Sequence, residues 1–396
     1  MENQGENNST ALTQTQTSTE SLNIEQSREA IVTFYKDTSA VFRRLGEEKA
    51  KLGSNALNDS LFERNKPVPS SQIAHLNTQH TARFFERMQS VIQEVVIESR
   101  LSAALQTLKE FRFLDIGAAP GAFSQWLISA FPQASGFGIS LPRSRGGHLF
   151  MAECANSPRY AVNFVDILST EFYKTHKARN TNNNNAQYNL IIADCLYLDE
   201  KPWTLPSGPI KPGTFHENHS LGYNLLTITQ IHMALTSLVE NGYFIMRVSS
   251  NGSVPTTATL LALSPFFKSC KVIKPTTSHQ LRSSCYAVLC GRKSTQYLAT
   301  QTNFASFVEL LKATLDSGHA NPNMPQIEFP SVFLGVDVIT REIMERDGTW
   351  LIDVFEQAWT VQLDNILNVN NSKQKPCRSF ASNGYCKFGD RCRFAH

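Results

Sequence analysis

Cys377, Cys386, Cys392 and His396 stand in a Cys-x8-Cys-x5-Cys-x3-His array. Three thiolates and an imidazole form a closed tetrahedral set suited to Zn²⁺. No position is left for water or substrate, so the metal would be structural. A segment of about twenty residues cannot bury a sufficient core, and metal binding would supply its folding energy. A second constellation runs from Phe113 to Gln125 and reads Phe-Leu-Asp-Ile-Gly-Ala-Ala-Pro-Gly-Ala-Phe-Ser-Gln. Apolar residues lead into Asp115, then into the loop Gly117-Ala118-Ala119-Pro120-Gly121, then into a helix start at Phe123 and Ser124. Small residues let a backbone approach a ligand closely, and Gly supplies dihedrals that other residues resist. Pro120 departs from the Gly-x-Gly-x-x-Gly pattern of dinucleotide sites. The segment reads as a nucleotide-like ligand site at the end of a first parallel strand.

Further motifs give this site a family resemblance. Asp115-Ile-Gly-Ala-Ala-Pro-Gly-Ala-Phe-Ser resembles the first motif of the FtsJ-type S-adenosylmethionine-dependent RNA ribose methyltransferases. Gly136-Phe-Gly-Ile-Ser-Leu is similar to the relatives that methylate the ribose of the messenger RNA cap. Phe267-Lys-Ser-Cys-Lys-Val-Ile-Lys-Pro-Thr-Thr-Ser and Tyr286-Ala-Val-Leu-Cys-Gly-Arg-Lys resemble the family's last two strands. The resemblance spans roughly 111–293, with the motifs in the family's order. It implies S-adenosyl-L-methionine as cofactor, held by Asp115, Gly117, Ala118, Pro120, Gly121, Phe123, Ser124, Asp194 and, on the adenine side, Asp166.

The same resemblance implies a Lys-Asp-Lys-Glu set that acts on the acceptor hydroxyl, and here the chain departs from it. Asp194 sits at the family's Asp position. Arg247 stands where the family has its fifth-strand Lys, and Arg stays protonated in proteins, so it cannot serve as a general base. Ser284 takes the Glu position. No Lys occurs between Lys66 and Lys109, which leaves Arg83 or Arg87 as the nearest cation for the remaining place. Ser140 ends the second strand where an acid usually grips the cofactor ribose. The Cys/His array with Lys387-Phe-Gly-Asp-Arg-Cys-Arg-Phe-Ala-His resembles the CCCH zinc fingers that bind single-stranded RNA. That resemblance implies Phe388 and Phe394 stacked between bases and Arg391 and Arg393 on phosphates or base faces. A finger that contacts protein is the alternative.

Composition sets the frame. Of 396 residues, 41% are hydrophobic, enough for a large core. No apolar run approaches the about 20 residues of a membrane span, so no membrane role is expected. The polar N-terminus speaks against a secretory signal. Eight cysteines, irregularly spaced except for the last three, favour a reducing compartment with one metal site, nucleus or cytoplasm with a lean to the nucleus, over a disulfide framework. Net charge is +3, with six Lys or Arg against one Asp from Lys373 to His396. That segment therefore carries +5 and the rest of the chain −2, which concentrates phosphate attraction at the C-terminal end.

These residues need elements to position them. Strand candidates at 111–116, 135–140, 161–165, 188–194, 242–249, 269–274 and 285–290 alternate with helical patterns, which predicts a parallel α/β sheet. The expected fold is a doubly wound, Rossmann-like methyltransferase sheet of seven strands whose last hairpin is antiparallel. Around it we expect a disordered segment 1–28, a helical N-terminal extension 29–108, the FtsJ-like domain 109–295, a helical extension 296–367, a linker 368–375 and the finger 376–396. Residues 179–187, with four consecutive Asn, read as a solvated loop. Two functions remain open at this point. One is an S-adenosylmethionine-dependent RNA methyltransferase, acting on ribose oxygen with Asp194 and Arg247 orienting the acceptor. The other is a catalytically impaired RNA-binding or scaffold protein that keeps the cofactor pocket. Methylation of a base or protein nitrogen is a third, lesser option.

Overall fold

The computed structural model describes residues 7–53, 78–145, 147–169, 171–172, 188–195, 215–300, 302–320, 328–374 and 377–386. Among the described residues, helices α1 (Asn7–Thr38), α2 (Ala40–Gly53), α3 (Thr78–Glu98) and α4 (Leu101–Gln106) precede the sheet. Then come β1 (Phe111–Ile116), α5 (Ala122–Ala130), β2 (Ala134–Ser140), β3 (Tyr160–Phe164), β4 (Tyr188–Ala193), α6 (Phe215–Ser237) and β5 (Leu238–Ser249). α7 (Val254–Leu263), β6 (Phe267–Ile273) and β7 (Ser284–Arg292) complete the sheet. The described helices that follow are α8 (Thr295–Thr300), α9 (Thr302–Ala320), α10 (Phe329–Leu334), α11 (Arg341–Asp347) and α12 (Trp350–Gln374). A short α13 (Arg378–Asn383) lies in the finger segment.

The strand order is β3-β2-β1-β4-β5-β7-β6. β7 runs antiparallel to both its neighbours, whereas β1 to β5 pair in parallel. This is the expected doubly wound sheet with an antiparallel terminal hairpin. Its inner strands are apolar on both faces because helices cover both. Phe113, Leu190, Ile192, Ile245 and Tyr286 pack on one face with α3, α4 and α5. Leu114, Ile116, Ile191, Phe244 and Met246 pack on the other with α1, α2, α6, α7 and the C-terminal helices.

Packing explains the glycines of β2. A Cβ at Gly136 would strike the Phe113 ring, and one at Gly138 would strike the Tyr160 hydroxyl. The bare backbone makes room for the stacked Phe113–Tyr160 pair, whose ring centroids are 6.1 Å apart.

Two boundaries differ from expectation. The segment 1–28 is expected to be disordered, yet α1 begins at Asn7. Near the end of that stretch Ser27 is fully buried, and its hydroxyl accepts from the Ile339 amide at 2.9 Å. Likewise, the linker expected at 368–375 continues α12 to Gln374, and Asn370 donates to Glu48 of α2 at 2.8 Å. Both stretches are polar in composition but are ordered by partners some 300 residues away in sequence. The loop at 179–187 lies outside the described residues. The helices across 296–367 pack on the sheet, joined to α1 and α2 by an aromatic cluster of Tyr35, Phe42, Phe355 and Trp359.

The guanidinium of Arg159 secures the loop between α5 and β2. It donates to the carbonyls of Ile128, Phe131, Pro132 and Ala134 at 3.0–3.2 Å. Hydrogen bonds from a charged donor contribute about 1.5–3 kcal/mol each in mutational series. Arg159→Met is expected to lower unfolding free energy by about 1.5–3 kcal/mol in urea titration, since part of the fork is solvent-facing.

Candidate active site

The site sits where β1, β4 and β5 end together. β1 delivers Asp115 and then the loop, whose first turn is left-handed at Gly117 (φ 94°) and whose helix begins after Gly121 (φ 96°). A side chain at Gly117 would meet the Cys195 backbone at 2.8 Å, and one at Gly121 would meet Phe150 and Ala152. The glycines thus let the loop pack against β4's end and the segment after β2. Gly117 and Ala118 amides both donate to the Ile139 carbonyl, at 2.8 and 3.0 Å. The Ala119 amide donates to Ser140 Oγ at 3.3 Å. Ser140, which the sequence shows only as a missing acid, is therefore a brace for the loop. The Ala119–Pro120 peptide is cis.

Asp115 is 1% exposed and Ser124 fully buried. Ser124 Oγ donates to Asp115 Oδ2 at 2.7 Å and lies 2.9 Å from the Tyr160 hydroxyl. Burial, together with the charge of Asp194, raises the Asp115 carboxyl to about 7. Phe123 is buried and meets Tyr286 edge-on. Asp115, Phe123 and Ser124 thus form the inner wall of the site. Asp166 lies after β3, where Oδ1 accepts the Leu168 amide at 2.9 Å and Oδ2 pairs with Arg145 at 3.0 Å.

Asp194 and Arg247 come together. Arg247 Nη1 lies 3.4 Å from Asp194 Oδ1, with the two side chains 14% and 11% exposed. Tyr286 donates its hydroxyl to Asp194 Oδ2 at 3.3 Å, and Arg247 Nη2 donates to Ser284 Oγ at 3.4 Å. Burial raises the Asp194 carboxyl above its ordinary value, while Arg247 and the Tyr286 hydroxyl pull it back. Burial works against the Arg247 charge too, and Asp194, Tyr286 and Tyr223 together outweigh it. All three other members pair across strands: Arg247 faces Tyr286 in the β5–β7 ladder, and Ser249 faces Ser284. Tyr286 joins the cluster as a further member, and the sequence shows it only as the first residue of the last strand motif. Arg83 and Arg87 lie exposed on α3, where Arg87 Nε donates to the Arg83 carbonyl.

Lys274 is a site-supporting group that sequence reasoning missed. Its buried ammonium donates to the carbonyls of His279 and Ser284 at 2.7 Å and to that of Arg282. Burial pushes it down to about 8. The only cue in the sequence was a lysine before Pro275 at a strand end.

Half of the finger is described. Cys377 and Cys386 are both buried, and Ser379 Oγ donates to the Tyr385 carbonyl at 3.1 Å. Cys392, His396, Phe388, Arg391, Arg393 and Phe394 lie outside the described residues. Tyr385 and Phe380 stand 69% and 38% exposed beside the two buried thiols, aromatic groups that sequence reasoning did not single out.

Comparisons with known proteins meet this geometry. The chain is similar in structure to a ribosomal RNA methyltransferase from Plasmodium falciparum, with 15% identity over 50% of this chain and 95% of that one and a TM-score of 0.32. It is similar to an rRNA methylase from Streptococcus thermophilus, with 9% identity over 50% and 97% and a TM-score of 0.31. Human methyltransferase-like protein 13 in complex with SAH shares 14% identity over 61% and 93%, with a TM-score of 0.30. No curated protein sequence matches the chain. Family models match two separate segments, one holding the β1 loop, Asp194, Arg247 and Tyr286, the other holding the Cys/His array. Residues 98–292 are an FtsJ-like methyltransferase domain, and residues 372–396 are a zinc finger of the C-x8-C-x5-C-x3-H type.

Proposed function

We propose that the protein transfers a methyl group from S-adenosyl-L-methionine to an RNA ribose 2′-hydroxyl, with the finger holding single-stranded RNA. The observation that carries this reading is the Asp194 carboxylate at the end of β4, clasped by Arg247 and Tyr286 beside the Gly117–Gly121 loop. The residues suit the cofactor. Asp115 and Asp194 are acidic groups in a buried setting, and their charges interact. They complement a permanent cation, and by the family resemblance Asp166 would hold the adenine side. When bound, S-adenosylmethionine supplies an electrophilic methyl on sulfur.

The protein's own groups do the rest. Asp194 accepts the hydrogen bond of the acceptor hydroxyl, aligns its oxygen and takes its proton. Arg247, always charged, stabilises negative charge that grows on that oxygen. Ser284 and Tyr286 fix the fork and the carboxylate, so proximity and orientation carry much of the acceleration. In the finger, the buried thiols of Cys377 and Cys386 fit a thiolate-rich structural zinc site with Cys392 and His396. The reducing compartment, nucleus or cytoplasm, rests on the cysteine spacing of the sequence. Among the described residues, no helix is long and apolar enough to cross a membrane.

One observation favours a second reading. Arg247 is committed to both Asp194 and Ser284, and among the described residues no amine takes its place in this cluster. A protein that binds RNA and cofactor without transfer would look the same.

Labelled cofactor and capped or total RNA separate the two. Asp194→Asn is expected to lower kcat by about 10²–10⁴-fold, the range for losing general acid–base assistance. Transfer to no RNA by the wild type, with cofactor bound in calorimetry, supports the scaffold reading instead. For the finger, Phe388→Ala and Phe394→Ala should each weaken single-stranded RNA binding by about 1–3 kcal/mol in fluorescence anisotropy. Cofactor affinity should be unchanged in both variants.

A further inference from the structure

The two strand ends that carry Arg247 and Ser284 are joined at Ser250. Its amide donates to the Ser283 carbonyl at 2.8 Å, and its hydroxyl donates to the same oxygen at 3.1 Å. The other side of this seam is held by α12. Trp359 Nε1 donates to the Ser250 carbonyl at 2.7 Å, and Gln362 Nε2 donates to the Leu281 carbonyl at 2.9 Å. Gln362 Oε1 lies 3.5 Å from Ser250 Oγ. Both side chains are 0% exposed.

Gln362 is informative because of where it stands. Its neighbours on the packed side of α12 are Phe355, Trp359, Leu363 and Ile366, all buried and apolar or aromatic. If packing were the whole demand, Leu or Met would meet it without the desolvation of an amide. A buried amide is tolerated when its polar atoms are satisfied, and here Nε2 meets the Leu281 carbonyl and Oε1 faces the Ser250 hydroxyl. α12 also lies beyond residue 292, where the family match ends, so this contact is an addition to the FtsJ-like domain. α1 and α2 share in it. Tyr35 and Phe42 seat the Trp359 ring at 5.1 and 4.8 Å, and Lys49 Nζ reaches Ser283 Oγ at 3.4 Å.

We propose that Gln362 and Trp359 are positioning residues, which hold the Ser250 and Leu281 backbone so that Arg247 and Ser284 stand in register with Asp194. The helical extensions on both sides of the FtsJ-like domain are then part of the site's geometry. The inference rests on the methyl-transfer reading for its kinetic consequence, but not for its structural one.

The test uses the full chain. Gln362→Met removes the amide and keeps the volume; Trp359→Phe is the milder variant, which removes one hydrogen bond and keeps a ring. Each is expected to lower kcat about tenfold or more, as small misplacements do, with KM for S-adenosylmethionine unchanged. In an Arg247→Ala background Gln362→Met should cause no further loss, because it acts through Arg247. An additive loss in that background, or an unchanged kcat in both single variants, overturns the proposal. A second readout is independent of turnover: the ¹⁵N–¹H signal of Arg247 Nε, assigned by its disappearance in Arg247→Ala. The signal should shift or broaden in Gln362→Met. An unmoved signal overturns the proposal even where the enzyme is active, whereas a moved signal with an inactive wild type supports it and rejects the methyl-transfer reading.

Discussion

A carboxylate buried at the end of β4 must be matched by charge, and in this protein Arg247 matches it. Asp194 is 11% exposed, with few routes to solvent. Arg247 and the Tyr286 hydroxyl take one oxygen each. Removing one partner of such a pair leaves an uncompensated buried charge, so the arrangement constrains everything that supports it. Both partners of Asp194 come from the β5–β7 ladder, facing one another across it. The antiparallel β7 is what makes this possible. Reversing the last inner strand brings its beginning, with Ser284 and Tyr286, to the edge where parallel β4 and β5 end.

The identity of the cation shapes the chemistry. A lysine in this place could lose its proton and act on a hydroxyl, whereas a guanidinium keeps its charge at every working pH. Its planar fork reaches two acceptors at once, Asp194 and Ser284, where an ammonium is a point charge. On the proposed reading, the exchange moves proton handling to Asp194 and leaves Arg247 to stabilise charge. The amine that is missing from the fork is not missing from the neighbourhood. Lys274 spends its ammonium on three backbone carbonyls of the β6–β7 connection, and so holds the strand end that presents Ser284.

Much of the fold was legible because it is written in local pattern. β1 and β4 show as apolar runs, and the turn from Asp115 to Gly121 shows as a cluster of small residues. The meaning of single residues there was harder to read. Gly117 looks like a concession to a ligand, yet the Cys195 backbone is what its bare backbone accommodates. Ser140 reads as a missing acid and turns out to brace the loop. Ser27, Asn370 and Gln362 are polar residues in polar or helical stretches, and nothing nearby in sequence reveals their distant partners. Tertiary contacts of that span leave no periodic trace, so a disordered tail and a linker were expected where helices dock.

Charge divides the labour between the two segments. The last two dozen residues carry +5, and the rest of the chain is −2. A body of that sign has no long-range pull on a polyanion, while a compact basic segment with aromatic side chains does. On the proposed reading the finger supplies capture and the FtsJ-like domain supplies geometry. The partition also suits a site built from Asp115, Asp194 and Asp166. On that reading, acidic groups at the site favour a cationic cofactor over phosphate, and Arg247 and Arg145 pair with two of them. The acceptor must then be drawn in by charge placed elsewhere, and the basic end of this chain is where that charge is concentrated.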